Sequence, residues 1–384
     1  MNDERKTTIE VNMTDDEWIE LLCLCEEINL TPGDLAVAFC QEVIRQQALL
    51  RSPAAWSFAS TDRRCSRRCS QSTQPITGGI APMKIENKTP IAEEIIRNNP
   101  TGHGLFAGIG DNFNSVAQVI CELMDDAVSN LRANKDDPEL SMAVVLSLEN
   151  LGNAVEITVT DGGTGIADLS SALTIACRDG AQTPLNEHGF GLKHALASCD
   201  SSPDQKWSIR TRTKDDAAAN QYREVKAPYS MGTSELDKPM KVRFYSGTCD
   251  LPHPTGTSIS VRCPMAKFRT VKPDRKAAQS DFHHLVKYVI DELRYIYAGV
   301  LANTPITMEV WEISGGEETQ HTLTPLLPVW EEGSVKDYGE IPCNLGGGPL
   351  TIRCKYGNIL KNPSNAIYYK CNMESSGVEL RING

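Results

Sequence analysis

Three short stretches between residues 121 and 198 most narrow what this chain can fold into: CELMDDAVSNL (121–131), EITVTDGGTGI (156–166) and NEHGFGLKHALAS (186–198). The first has the apolar spacing of a helix, with Leu123, Ala127 and Leu131 on one side and Glu122 and Asp126, four apart, sharing another. The second reads as an apolar strand ending in Asp161, followed at once by Gly162-Gly163-Thr164-Gly165. The third is a glycine turn, Gly189-Phe190-Gly191, that opens a helix and carries Lys193 in its first turn. A carboxylate-bearing helix, a strand with an acidic glycine turn and a helix entered through glycine are the frame around which the rest of the chain is organised.

The flanking sequence supplies the other elements. IAEEIIRNN (91–99) reads as a short helix, and TGHGLFAGIGDN is glycine-rich. FNSVAQVICELMDDAVSNLRA is a long amphipathic helix for which Asp111 or Asn112 is the expected cap. SMAVVLSLEN and AVEITVTD predict a hairpin turning at residues 151–154, and a helix is expected through LSSALTIAC. KWSIRTRTK, KVRFYS and GTSISVRCP (256–264) read as strands. A second region starts near Ala278 with a helical stripe of Leu285, Val286, Val289, Leu293, Ile296 and Val300. Strand-like segments follow: ITMEVWEI, HTLTPLLPVW, GEIPCNL, PLTIRCKYG, AIYYKCN and VELRI. The chain stops directly after a strand, which reads as a domain that continues beyond residue 384. His283 and His284 are adjacent, point to different faces, and read as structural.

At the N-terminus, TTIEVNMT reads as a strand, DDEWIELLCLCEEIN as a helix, and Thr31-Pro32 as the start of a second helix running to about Leu50. Strand, helix, turn and helix within residues 1–50 resemble a ribbon-helix-helix module, which pairs through its strand and can lay it in a DNA groove. Glu10 and the acidic first helix weigh against DNA contact and favour a dimerisation or docking element. Residues 51–90 are rich in Ser, Thr, Pro and Gly and read as a flexible linker; the four arginines of DRRCSRRC (62–69) make it locally basic.

Composition closes off several classes. A net charge of −12 argues against a chain coated in basic surface for nucleic acid. The 13 cysteines are scattered without a CxxC pair, so they read as free thiols in a reducing cytoplasm rather than as a metal or disulfide framework. No apolar run reaches the ~18 residues of a membrane span, and MNDERKTT is not a signal peptide.

The chemistry of the three stretches points to a nucleotide. Two carboxylates on one helix face can divide labour, one accepting a proton from water and the other holding a divalent cation. A carboxylate at a strand end accepts hydrogen bonds from an exocyclic amine, and glycines beside it let a flat ring lie against backbone. A glycine turn at a helix start favours phosphate, and a lysine adds a point charge. Neither a Walker A sequence nor a Rossmann fingerprint is present.

Taken in order, ELMDDA, DGGTG, GFGLK and the later GTSISV resemble the GHKL ATPases, the superfamily of gyrase, heat-shock chaperone ATPases, histidine kinases and MutL, over residues 91–265. The resemblance implies an α+β fold: a Bergerat-type α/β sandwich, followed over 278–384 by a smaller βαβ transducer-like domain. It implies ATP and Mg²⁺ as ligands, with Glu122 as the general base, Asp126 in the metal position and Asp161 accepting the adenine amine. Gly163 and Gly165 would shape the base pocket and Thr257 would join the water network around the base. Gly189, Gly191 and Lys193 would contact phosphate at the end of an ATP lid spanning about 177–191. The family's metal-binding residue is an asparagine, so Asp126 adds charge beside the triphosphate. That departure leaves a weakly hydrolysing, nucleotide-sensing switch as the alternative to an ATPase.

The layout is most similar to MORC-like or prokaryotic stand-alone members. His103 lies in a glycine-rich segment rather than on a helix, which disfavours a histidine kinase, and no client-binding region for a chaperone is evident. Lys355 and Lys361 are candidates for a transducer lysine reaching phosphate. The implied behaviour is an ATP-gated homodimer clamp coupled to a partner protein or DNA, with no membrane association.

Overall fold

A computed structural model of the chain describes residues 8–13, 90–95, 108, 110, 113, 115–174, 191–202, 204–229, 240–249, 251–271, 280–344, 349–360 and 379–382. These fall into two compact units, one within 62–294 and 304–324 and the other within 1–61, 295–303 and 325–384. The architecture is mixed α+β with one large mixed sheet and several helices. Among the described residues no helix is long and apolar enough to cross a membrane.

The larger unit is built on a nine-stranded sheet. In chain order its strands are β2 (Ala92–Ile95), β3 (Ser141–Asn150), β4 (Ala154–Gly162), β5 (Trp207–Arg212), β6 (Gln221–Lys226), β7 (Lys241–Ser246), β8 (Gly256–Pro264), β9 (Thr307–Ser314) and β10 (Glu317–Thr322). Their spatial order is β10-β9-β3-β4-β8-β5-β6-β7-β2, antiparallel throughout except for the parallel pair β3–β9. The period-two alternation of strand side chains separates two chemistries at its centre. On one face Val155, Ile157 and Val159 of β4 lie beside Ile259, Val261 and Cys263 of β8 and Trp207 and Ile209 of β5, all buried. The opposite face carries a polar ladder: Thr158 Oγ1 donates to Ser260 Oγ (3.1 Å), Thr160 Oγ1 to Ser258 Oγ (3.0 Å), and Ser260 Oγ to Glu156 (2.6 Å).

Helix α1 (Val116–Ala133) packs against β3 and β4, and α3 (Gly191–Cys199) packs against α1 and β8. The apolar stripe of α1 (Val116, Val119, Ile120, Leu123, Met124, Ala127, Val128, Leu131) is buried. At roughly 25 cal/mol per Å², burial of such a stripe is the dominant driving force for docking a helix on a sheet. Its cap is Ser115, whose Oγ accepts from Ala117 N (3.1 Å) and donates to Thr270 O (2.9 Å), rather than the expected Asp111 or Asn112, which lie outside the described residues. Between these helices comes the short α2 (Leu169–Leu173), capped by Asp168. Later in the chain, α4 (Lys214–Ala218) starts in a capping box of Thr213 and Asp216, and α5 (Met265–Phe268) follows β8. Helix α6 (Phe282–Ile296) buries Leu285, Val286, Val289 and Leu293 of the expected stripe together with Phe282, but Ile296 is exposed and the helix ends there, so Val300 falls on the next helix.

The smaller unit holds α7 (Ala298–Asn303) and a four-stranded sheet. Its strands are β1 (Thr8–Met13), β11 (Lys336–Asn344), β12 (Pro349–Tyr356) and β13 (Glu379–Ile382), in the order β11-β12-β1-β13.

Four expectations need correction. The segment 92–95 is strand rather than helix, because Glu93 can pair across strands with Lys241 (2.8 Å) and Arg243 (3.1 Å) on β7. The boundary near residue 278 cuts through the large sheet, since β9 and β10 complete it beside β3. HTLTPLLPVW is strand only up to Thr322, and Pro325 and Pro328, which have no N–H to donate to a ladder, fall beyond it. Finally, β1 is hydrogen-bonded on both edges within its own chain, parallel to β12 and antiparallel to β13. The free strand edge through which a ribbon-helix-helix module pairs with a second copy is therefore occupied here. The two helices expected after it, the linker 51–89 and AIYYKCN lie outside the described residues.

Candidate functional site

The site forms where the ends of β4 and β8 meet α1 and α3. Asp161 on β4 stands opposite Thr257 on β8, which stands opposite Thr211 on β5, so the three lie in one row on the helix-bearing face. Asp161 is buried, and its Oδ1 accepts from Gly163 N at 2.8 Å. Burial pushes its carboxyl up to about 7, against the N–H groups of Gly163 and Thr257 that favour the charged form.

Thr211 was not legible as a site residue. It is fully buried, and its hydroxyl serves three partners: it accepts from Ile166 N (2.7 Å) and lies 3.2 Å from both Gly256 O and Thr257 Oγ1. One hydroxyl hydrogen and two lone pairs are thus all used. This hub ties the exit of the Asp161 turn to the start of β8. Only the cross-strand register exposes it; within RTRT the residue is an ordinary strand threonine.

Two glycines in the turn are set by close approach. At Gly165, φ is +74°, and a Cβ would fall 2.5 Å from the Arg212 carbonyl oxygen. At Gly163 a Cβ would overlap Asn130 Oδ1. Asn130 is the second residue the sequence reading missed. Its Oδ1 accepts from Thr164 N (3.0 Å) and its Nδ2 donates to Thr164 Oγ1 (2.9 Å), which fastens the DGGTG turn to α1. The available signal was its spacing, four residues after Asp126 and eight after Glu122. Asn130→Ala removes both bonds and leaves the Thr164 N–H without this partner. The expected cost is about 1–3 kcal/mol, read as a lower urea midpoint. An unchanged midpoint would show that the turn holds its shape without Asn130.

On α1, Glu122 and Asp126 are half-buried one turn apart. Burial, and secondarily Asp125, raise the Glu122 carboxyl above its ordinary value. Burial and then Glu122 push Asp126 up to about 7; Asp125 and Asp161 add to this, while Lys193 opposes it. Lys193 is itself buried, 3% exposed, and its charge lies near enough to Asp126 to favour the carboxylate. At Gly191, the first residue of α3, a Cβ would overlap the Glu122 carboxylate. The Glu122 side chain thus ends against bare backbone at the start of that helix. Gly110, from the glycine-rich segment, makes a comparable approach to Ala197, and its carbonyl accepts from Ser198 Oγ at 2.8 Å.

The structure therefore brings Glu122, Asp126, Asp161, Gly163, Gly165, Gly191, Lys193 and Thr257 around one junction of two helices and two strand ends. Gly189 and most of the stretch 177–191 lie outside the described residues, as does Lys361. Lys355 belongs to the smaller unit, where its Nζ lies 3.2 Å from Asp337 Oδ2. The arrangement can offer a proton acceptor, a cation-holding carboxylate, a buried lysine and a glycine-lined helix start. In comparisons with known proteins, no family model matches the chain and no curated protein matches it.

Proposed function

We propose that this chain binds ATP with Mg²⁺ and hydrolyses it, as an ATP-gated switch or dimeric clamp of the GHKL type coupled to a partner protein or DNA. The observation that carries the reading is the meeting of Glu122 with the bare backbone of Gly191, beside Asp126 and Lys193. The donor set suits a divalent ion: carboxylates held together against their own repulsion gain from a cation between them. When bound, magnesium neutralises charge on the phosphates. Asp126 would hold it, and Glu122, whose carboxyl burial raises above its ordinary value, would take the proton from water. Lys193 and the α3 start would orient phosphate, and Asp161 would accept a hydrogen bond from the base.

A second reading, a nucleotide sensor with little turnover, is favoured by Asp126. A carboxylate in the position where the resembled family has an asparagine adds negative charge beside the triphosphate, and burial among three other acids disfavours its charged form. The test is ATP binding by calorimetry, with phosphate release followed in Mg²⁺ and in chelator. Light scattering with a non-hydrolysable analogue reports subunit number. Saturable binding, Mg²⁺-dependent release and a shift to dimer are expected. Binding without release selects the sensor, and no saturable binding overturns both readings.

A further inference from the structure

Three contacts converge on the Thr211 hydroxyl, and their chemistry leaves one way to place its hydrogen. Ile166 N, at 2.7 Å, can only donate, and Gly256 O, at 3.2 Å, can only accept. The single hydrogen of Thr211 therefore goes to Gly256 O, and one of its lone pairs receives the Ile166 N–H. The third partner, Thr257 Oγ1 at 3.2 Å, meets the remaining lone pair, so the Thr257 hydroxyl is the donor in that pair. Thr211 is fully buried and Thr257 nearly so, a setting in which an unmade hydrogen bond is costly. With its hydrogen committed to Thr211, Thr257 Oγ1 has only lone pairs left for a ligand. Asp161, directly opposite Thr257, is filled from the protein side in the same sense: its carboxylate accepts from the N–H groups of Gly163, at 2.8 Å, and of Thr257. The row thus offers a ligand hydrogen-bond acceptors from both side chains.

We infer, on the nucleotide reading proposed above, that Thr211 is a positioning residue: it holds the Thr257 hydroxyl as an acceptor and so makes the row select a base that presents an amino group over one that presents a carbonyl. An exocyclic amine fits the row because it brings hydrogens. A carbonyl oxygen in the same place sets lone pairs against lone pairs and leaves buried polar atoms without hydrogen bonds, the mismatch that binding sites reject most strongly. Thr211 does not touch the ligand; it acts through Thr257. Without the Thr211 oxygen, the Thr257 hydroxyl turns about its C–O bond and its hydrogen becomes available to a carbonyl. The row then takes either group.

The test is calorimetric titration of the full chain with ADP and with inosine diphosphate, which carries a carbonyl where ADP carries the amine. Affinity for diphosphates is read without turnover. Wild type should prefer ADP by about tenfold or more. Thr211→Val keeps the side-chain shape, removes the hydroxyl, and should narrow that preference by about fivefold or more. Thr211→Ser keeps a hydroxyl in place and should retain the preference. Thr211→Cys, whose sulfur accepts only weakly, should behave as the valine variant does, and it serves where that variant does not fold. A purely structural role for Thr211 weakens both diphosphates by one factor and leaves their ratio unchanged. That result, a serine variant that loses the preference as valine does, or equal affinity of wild type for the two ligands overturns the inference and leaves the nucleotide reading standing. No saturable binding of either diphosphate to wild type overturns that reading, and the inference with it.

Discussion

Replacing Glu122 with alanine is expected to lower ATP turnover by roughly 10²–10⁴-fold, the usual contribution of a positioned general base. ATP affinity is expected to stay within about tenfold, or about 1.4 kcal/mol. On the proposed reading the carboxylate acts on water rather than on the nucleotide. Removing it takes away a proton acceptor and also removes one negative charge from beside the phosphates, so binding should not weaken much. Gly191→Ala is the companion variant in the same assay. Its Cβ would overlap the Glu122 carboxylate, the far end of a flexible side chain, which can swing aside at small cost. Turnover should fall while the urea midpoint barely moves. A position far from the reaction would not separate the two readouts in this way. Equal, near-zero phosphate release in wild type and Glu122→Ala would sink the catalytic assignment and leave the sensor.

How much of this could be read beforehand depends on how local each signal was. The β3–β4 hairpin turns at residues 151–153, as expected, because an apolar alternation on both sides brackets a Gly-Asn pair. The α6 stripe and the start of α3 at Gly191 were likewise written in nearby residues. What escaped was pairing at a distance. Nothing in AEEI announces that Glu93 will meet Lys241 and Arg243 about 150 positions later. Nothing in ITMEVWEI says that it will run parallel to β3, and so the domain boundary was set too early. The same holds at the site. Glu122, Asp126 and Asp161 carry their chemistry in their side chains and were visible as motif residues. Thr211 and Asn130 act by holding other segments in place. Their importance comes from partners 34 to 46 residues away in sequence, Thr164 for Asn130 and Ile166, Gly256 and Thr257 for Thr211.

Gly256→Ala should have the largest effect on stability. Gly256 begins β8 with φ at +138°, on the side of the backbone map that residues with a Cβ rarely enter. A Cβ there would also overlap the carbonyl oxygen of Asp161 and approach Gly162 Cα, both of them backbone. Neither atom can swing aside as the Glu122 carboxylate can at Gly191, so β4 and β8 would have to part. Strain costs about 1–3 kcal/mol and forced overpacking a similar amount. The sum, about 2–6 kcal/mol, is a large fraction of the 5–15 kcal/mol that typically holds a domain together. Denaturant unfolding should show the midpoint falling by that equivalent, or no cooperative transition at all. Binding should suffer with folding, because the movement separates Asp161 from Thr257 and pulls Gly256 O from the Thr211 hub. Glycine at this position is therefore required by the geometry of the Asp161 row. An alanine variant as stable as wild type would mean that the β4–β8 junction is looser than its hydrogen bonds indicate, and that the Asp161 pocket is not held rigidly by the sheet.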